Sequence, residues 1–501
     1  MMPEGEERNT VEETDRLIEI RREKLRKQTE KGIEPFAYSF RRTHTAAAVK
    51  EKFAGASHEP SSETVAVAGR VMSVRDHGRS CFMNLKDGSG TVQLYGRHDS
   101  LGAEAYSVFK DTDAGDILGV EGHAFKTRRG EITIDVSSFR QLAKSLRPLP
   151  EKFHGLKDVE SRYRMRYVDL AVNDDVRKIF ILRSRIVSAM RQWLDERDFI
   201  EVETPVLTPV PGGALAKPFA TRYNFLERDF YLRVATELYL KRLIVGGMEK
   251  VYEIGKDFRN EDMDTTHNPE FTMLELYEAF ADYRDMMELT ENMVSYALHE
   301  SAGTFEVNYR GQQLDFRPPW KRISMVDAIK SIGEIDVDFG DRQELVKVAR
   351  HLRLEDIRED MSAGELIAEL FDQRVQGRIV QPTIVFDHPA EISPLAKKKR
   401  GDPRFAERFE PFVCGFEFGN AFSELNDPIQ QKENFESQKK AREKGDEEAH
   451  PYDADYITAM EYGLPPTGGL GIGIDRLCMV FANVESIKEV ILFPQLRRVE
   501  D

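Results

Sequence analysis

Cysteine is scarce in this chain: Cys81, Cys414 and Cys478 are the three among 501 residues, and no two form a CxxC pair. That usage excludes a disulfide framework and offers no zinc-ligand spacing. Long apolar runs are missing as well, none nearing the ~20 residues that cross a bilayer. The N-terminus, MMPEGEERNT, is acidic and polar where a secretion signal is basic and then apolar. Both absences predict a cytoplasmic protein with no membrane partner. No internal repeat occurs, which excludes a solenoid.

What is present is a mixed, acidic composition. Hydrophobic residues make up 40% and charged residues 32%, against ~25% charged in an average globular chain, so the chain folds but carries a heavily charged surface. At ~150 residues per domain, its length predicts two to four domains. The net charge of −16 is unevenly spread. Residues 1–150 hold 24 Lys or Arg against 23 Asp or Glu, and residues 16–50 hold ten against four. A locally basic segment on an acidic body fits either nucleic-acid binding or an ordinary solvated helix face.

Hydrophobic periodicity divides the chain. After a polar start read as disordered, the spacing of Leu17, Ile18, Ile20 and Leu25 predicts a helix over 16–31, stopped by Gly32 and Pro35. From Thr64 to Leu146, short alternating runs between turns such as DGSG and RRGE predict five strands and a small OB-type β-barrel. Such barrels bind single-stranded nucleic acid on one face. Arg75, Phe82 and Gln93 fall on or beside those strands and Glu131 opens the last, although Phe82 taken alone reads as barrel core. The prolines of LRPLPEKFHGLKD predict an extended linker. The expected boundaries are 1–60 for a helical extension, 61–147 for the barrel, 148–160 for the linker and 161–501 for a second domain with a helical insertion near 341–380. In that domain helices are expected over 174–197, 282–300 and a charge-rich stretch at 431–460.

The chemistry concentrates in a few runs. In KVYEIGKDFRNE, alternation predicts a strand carrying Arg259 and Glu261 on one face, then a loop with His267, then a strand, FTMLELYEA, in which Glu275 and Tyr277 share a face. FEFGNAFSEL repeats the design with Asn420, Phe422 and Glu424, and Glu237 in YLRVATELYLKR is also expected on a strand face. Carboxylates are costly to bury unless cations meet them. Glu237, Glu275 and Glu424 with the Tyr277 phenol therefore suit a ligand bearing two ammonium groups. In GGLGIGIDRL, Gly469, Gly471 and Gly473 alternate with Leu470, Ile472 and Ile474 and bare one strand face to a flat ring or a backbone. This GxGxGxxR spacing is not the GxGxxG of a dinucleotide site. Arg476 then opens a helix, where a phosphate is well served. Glu410 and Glu417 flank a turn at Cys414–Gly415, and a hairpin there gathers two oxygen ligands for magnesium beside nucleotide phosphates. The bland alternative is two unrelated surface glutamates.

These elements, in this order, resemble the three signature motifs of the class II aminoacyl-tRNA synthetases: RDFIEVETPVLTPV behind its helix, FRNE through the HNPEF loop, and GLGIGIDR. VPGGALAKPF, HNPEFTMLELY, GNAFSELNDP and EYGLPPTGGLGIGIDR resemble the bacterial lysyl-type members, and the resemblance spans residues 15–498. It implies an α+β chain, with an OB-fold anticodon-binding domain followed by an antiparallel sheet flanked by helices, in a homodimer built through the first motif. It implies activation of L-lysine by ATP and transfer to the 3′ end of lysine tRNA. By resemblance, Arg259 meets the α-phosphate and the lysine carboxylate, Glu261 the adenine edge, Phe271 the adenine face, and His267 and Arg476 the outer phosphates. Gly473 belongs to the same ATP site, and Glu410 and Glu417 hold Mg2+. Gly213, Glu237, Glu275, Tyr277, Asn420, Phe422 and Glu424 fall to lysine, and Arg75, Phe82, Gln93 and Glu131 to the anticodon. Ala421 and Thr236 are small departures that leave the reaction unchanged.

Three rivals are weighed against this. An aspartyl- or asparaginyl-type synthetase needs cationic side chains where Glu424 and Tyr277 stand. An enzyme that lysylates a translation factor uses the catalytic half without the barrel. A catalytically silent nucleic-acid-binding protein has no use for Arg259, Arg476, Glu410 and Glu417 together.

Overall fold

Alternation at period two curls the strands of the N-terminal part into a closed barrel. In the computed structural model, which describes residues 4–150, 156, 158–214, 216–443 and 451–497, the chain divides into two units, Met1–Lys157 and Asp158–Asp501. The barrel comprises β1 (Thr64–Asp76), β2 (Ser80–Lys86), β3 (Thr91–Arg97), β4 (Ile117–Lys126) and β5 (Ile132–Ala143), in the order β1-β2-β3-β5-β4. Val67, Met83, Leu85, Leu94, Val120 and Ile134 fill its interior. Phe82 has the opposite parity to buried Cys81, Met83 and Leu85; it lies half-buried and stacked on Tyr95, with ring centroids 4.5 Å apart. Strand parity thus corrects the reading of Phe82 as core.

The N-terminal helix is longer than its apolar stripe predicts, running Glu4–Glu30. Its buried side carries Ile18, Arg21 and Gln28. Arg21 donates to the carbonyls of Ala114 and Arg147 at 2.9 Å, and Gln28 to Gln141 at 3.0 Å, so polar contacts tie the helix to the barrel. The stretch before the barrel is not helical throughout. Ala37 and Thr43 donate backbone hydrogen bonds to Leu142 and Ala66, and a short helix, Ala46–Lys52, is capped by Thr45. Six residues of the expected linker, 151–155 and 157, lie outside the described residues.

The second unit is built on a sheet of strands in the order Lys321–Ser324, Thr383–Phe386, Arg408–Val413, Gly419–Ser423, Thr467–Gly473, Glu270–Ala279, Lys250–Phe258 and Ile200–Glu201. Only the pairings at its two ends are parallel. Leu274, Leu276, Leu470 and Ile472 point to one side and pack with helices Asp174–Asp195 and Tyr283–Ala302 through Met190, Leu194, Met293 and Leu298. The residues between them are left to the other side, and these build the site. Asp282 and Asp285 form a capping box at the start of the second helix, and Gly303, at φ 75°, ends it. Helices Arg342–His351 and Ala363–Arg374 form a separate core around Leu345, Leu366 and Phe371. The charge-rich stretch is two helices, Pro428–Glu443 and Ala454–Glu461, with 444–450 outside the described residues.

Candidate active site

Register brings the sequence-predicted residues together on the open face of the sheet. Tyr277, Glu275 and Met273 stand opposite Gly469, Gly471 and Gly473, and across the same glycine strand Phe422 and Asn420 stand opposite Gly469 and Gly471. Two functionalised strands therefore flank one that, from Gly469 to Gly473, has no side chains on this face. The space above it is needed: a Cβ on Gly469 would lie 2.0 Å from Glu424 Oε1 and 2.6 Å from Tyr277 Cε1. A cavity of about 450 Å³ opens over this floor, lined by every residue assigned above to ATP and lysine.

Its acidic end is formed by Glu237, Glu275, Glu424 and Tyr277, all buried. Glu237 is not on a strand. It is the first residue of helix Glu237–Val245, and its side chain pairs one turn on with Lys241, whose ammonium also contacts Glu424. Glu424 follows its strand directly and is fixed by its amide, which donates to the Thr467 carbonyl at 2.8 Å. Burial, with the charges of Asp257 and Glu237, pushes the Glu275 carboxyl up to about 8. Burial likewise raises the Tyr277 phenol, which sits 3.4 Å from Glu275 Oε2 as a neutral donor. Gly213 closes this end at φ 102°, where a Cβ would press on Ala235 at 3.0 Å.

The other end is cationic. The Lys250–Phe258 strand stops one residue short of Arg259, so Arg259 and Glu261 begin the following loop and do not share a strand face. Arg259 donates its amide to Pro269 at 2.9 Å and holds its guanidinium 5.1 Å from the Phe271 ring centre. Its Nε is buried without a hydrogen-bond partner among the described residues. Arg476, in helix Ile474–Ala482, donates to the Glu417 carbonyl at 2.9 Å and faces His267 Nε2 at 2.9 Å. Because a guanidinium only donates, His267 accepts through Nε2 and carries its proton on Nδ1, 2.8 Å from Asp264.

Cys414 and Gly415, at φ 48° and 75°, turn the hairpin that carries Glu410 and Glu417. Burial, reinforced by the negative charge of Glu410, raises the Glu417 carboxyl. Two hard oxygen donors repelling one another at the wall of this cavity fit a divalent cation. No group of three or more His, Cys, Asp or Glu forms a metal cluster among the described residues. Two residues escaped the sequence reading. Arg408 donates to Asn420 at 3.0 Å and to Glu410 at 2.6 Å, tying the two ends of the site together. Its two-residue spacing from Glu410 was the available signal, as the four-residue spacing from Glu237 was for Lys241.

On the barrel, β1, β2 and β3 align Arg75, Phe82 and Tyr95 in one row, with Gln93 opposite Asn84. Gln93 accepts from Thr133 at 3.0 Å. Glu131 stands just before β5, not within it, and pairs with Lys50 at 3.1 Å. Tyr95 was not singled out in the sequence.

Residues 158–497 match the family model of tRNA synthetases class II (D, K and N). The chain belongs to the class II tRNA synthetases. Residues 65–142 of this synthetase match the model of the OB-fold nucleic acid binding domain, and its α+β architecture agrees with expectation. The synthetase is similar to the lysine–tRNA ligase of Syntrophomonas wolfei, 53% identical over 482 residues, 96% of this chain and 97% of the relative. It is similar to that of Bacillus subtilis, 51% identical over 500 residues, 99% and 100% of the two chains. No helix among its described residues is long and apolar enough to cross a membrane.

Proposed function

We propose that this synthetase is a lysine–tRNA ligase, which activates L-lysine with ATP and passes the lysyl group to the 3′ end of lysine tRNA. One observation carries the reading: the cavity is polarised along its glycine floor. Tyr277 and Phe422 flank Gly469 at the acidic end, and Arg476 follows Gly473 at the cationic end. Four residues of strand separate the two glycines, ~13 Å, which suits an extended lysyl-adenylate.

In this reading the lysine ammonium groups lie among Glu237, Glu275, Glu424 and Tyr277, with Gly213, Asn420 and Phe422 shaping the walls. Arg259 draws the lysine carboxylate and the α-phosphate together, so that a carboxylate oxygen attacks phosphorus in line and pyrophosphate leaves. Phe271 stacks on adenine, Glu261 accepts from its amino edge, Gly473 leaves room beside the nucleotide, and His267 and Arg476 receive the outer phosphates. Glu410 and Glu417 would hold Mg2+, which supplies charge neutralisation on the phosphates. No side chain acts as nucleophile; acceleration comes from positioning and preorganised charge. The same reading makes the chain a cytoplasmic homodimer, with domains at 1–60, 61–147, 148–160 and 161–501, whose barrel reads the anticodon through Arg75, Phe82, Gln93 and Glu131.

The test is amino-acid-dependent ATP–pyrophosphate exchange across the twenty amino acids, with magnesium and without tRNA. Exchange with lysine alone, abolished by a chelator, is expected; exchange with aspartate or asparagine, or none, would refute the reading. For the barrel, Phe82→Ala is expected to raise the KM for tRNA in aminoacylation about tenfold, the scale of one lost base stack. Its tRNA-independent exchange should stay at the wild-type rate.

A further inference from the structure

The side chain of Lys241 is 0% exposed, and its ammonium touches two carboxylates at once, those of Glu237 and Glu424. It also lies 5.8 Å from the ring centre of Tyr277 and 5.4 Å from that of Phe422. A buried ammonium is costly unless it is paired. Burial lowers the proton affinity of this one, but the charges of Glu237 and Glu424 more than reverse that, leaving it above the ordinary lysine range.

Glu424 gains most from the contact. Neither of its buried oxygens has a hydrogen-bond partner among the described residues, but Oε2 is ion-paired with Lys241, whereas Oε1 is directed over the bare face of Gly469. One oxygen is thus engaged by the protein, and the other is left for a ligand.

Counting charges gives this arrangement a purpose. Ionised, Glu237, Glu275 and Glu424 carry three negative charges, of which Lys241 balances one. A diamino acid brings two ammonium groups, while its carboxylate is met by Arg259. Resting on the reading of this cavity as a lysine site, we infer that Lys241 is a positioning residue for amino-acid selection, holding Glu424 with one oxygen free and leaving the pocket short of the two positive charges that lysine carries. An amino acid with a neutral side chain leaves one buried negative charge uncompensated.

The groups facing this ion pair are known from each neighbouring element. Glu237 shares the helix of Lys241, Glu275 and Tyr277 come from the Glu270–Ala279 strand, and Tyr456 comes from helix Ala454–Glu461. Arg242, the next residue, is turned to Asp453 and Asp455. Burial drives the Glu424 carboxyl up and Lys241 opposes it. With the ammonium gone, Glu424 keeps no cation against burial and the charges of Glu237 and Glu275, so its carboxyl takes up a proton that it must lose to meet the lysine side-chain ammonium.

The experiment compares the full-length wild type, Lys241→Met and Glu237→Gln/Lys241→Met in ATP–pyrophosphate exchange, titrating lysine between pH 6 and 8 at saturating magnesium and ATP. Lys241→Met is expected to raise the lysine KM at least tenfold at pH 7, with the ATP KM within twofold of wild type. Its lysine KM should fall with rising pH more steeply than that of the wild type, in which Glu275, held up to about 8, already gives a shallow fall. The double variant, with one buried carboxylate fewer, should show a shallower pH profile than the single variant. A wild-type KM with a pH profile no steeper than the wild type's in Lys241→Met, or a loss confined to kcat, overturns the inference and leaves the lysine reading intact. If Lys241→Met does not fold, the double variant decides: folded with a lysine KM that is raised and falls with pH more steeply than the wild type's, it supports the inference, and folded with the wild-type profile or equally unfolded, it overturns it. A wild-type enzyme with no lysine-dependent exchange sinks the underlying reading itself.

Discussion

Replacing Arg259 by alanine is expected to cut lysine-dependent pyrophosphate exchange by about a thousandfold, ~4 kcal/mol of transition-state stabilisation, the scale of losing one preorganised donor to a developing oxyanion. The guanidinium is poised rather than employed in the fold. Its Nε has no hydrogen-bond partner among the described residues, and its side-chain packing is on the Phe271 ring. Buried Asp257, which also feels its charge, keeps Arg233 at 3.2 Å. The melting temperature should therefore hold while activity collapses. Arg259→Lys keeps a charge but not the planar two-pronged donor, so it should recover only a small part of the rate. Exchange near the wild-type rate in the alanine variant would remove Arg259 from the mechanism.

Glu424→Gln carries the second large effect, on lysine recognition. Glutamine keeps the shape but turns a donor or a neutral oxygen toward an ammonium at a buried position. A charged hydrogen bond of this kind contributes ~1.5–3 kcal/mol, and a buried group left facing the wrong partner adds to the loss. A fall of about a thousandfold in kcat/KM for lysine is expected, with the ATP KM unchanged. Exchange kinetics at varied lysine and at varied ATP separate the two, and an unchanged lysine kcat/KM would place the ε-ammonium elsewhere in the cavity.

What the sequence revealed and what it concealed follow from range. The glycines at 469, 471 and 473 could be read because a strand sorts its faces at period two, and the sheet supplies Tyr277 and Phe422 opposite the same glycine. The acidic set was legible as composition on strand faces, but Glu237 was misplaced. Alternation around YLRVATELYLKR looks extended, whereas the strand ends at Leu232, Thr236 already has right-handed helical backbone and the helix starts at Glu237. Recognising that helix would have exposed Lys241 as its partner one turn later. Phe82 was misread because an aromatic suits a barrel interior, although its parity with Asn84 already placed it outside. Arg408 was only half legible: its spacing from Glu410 was in the sequence, but its bond to Asn420 needs the hairpin that brings the two strands alongside.

The bare strand Thr467–Gly473 has a thermodynamic consequence. Ordering flexible side chains on binding costs ~0.5–1.5 kcal/mol apiece, and a floor of Gly469, Gly471 and Gly473 has none to order. Its backbone is already held on both edges by neighbouring strands. Substrate thus lands on a surface with no rotamers to freeze, and the entropic cost of recognition falls on the walls alone.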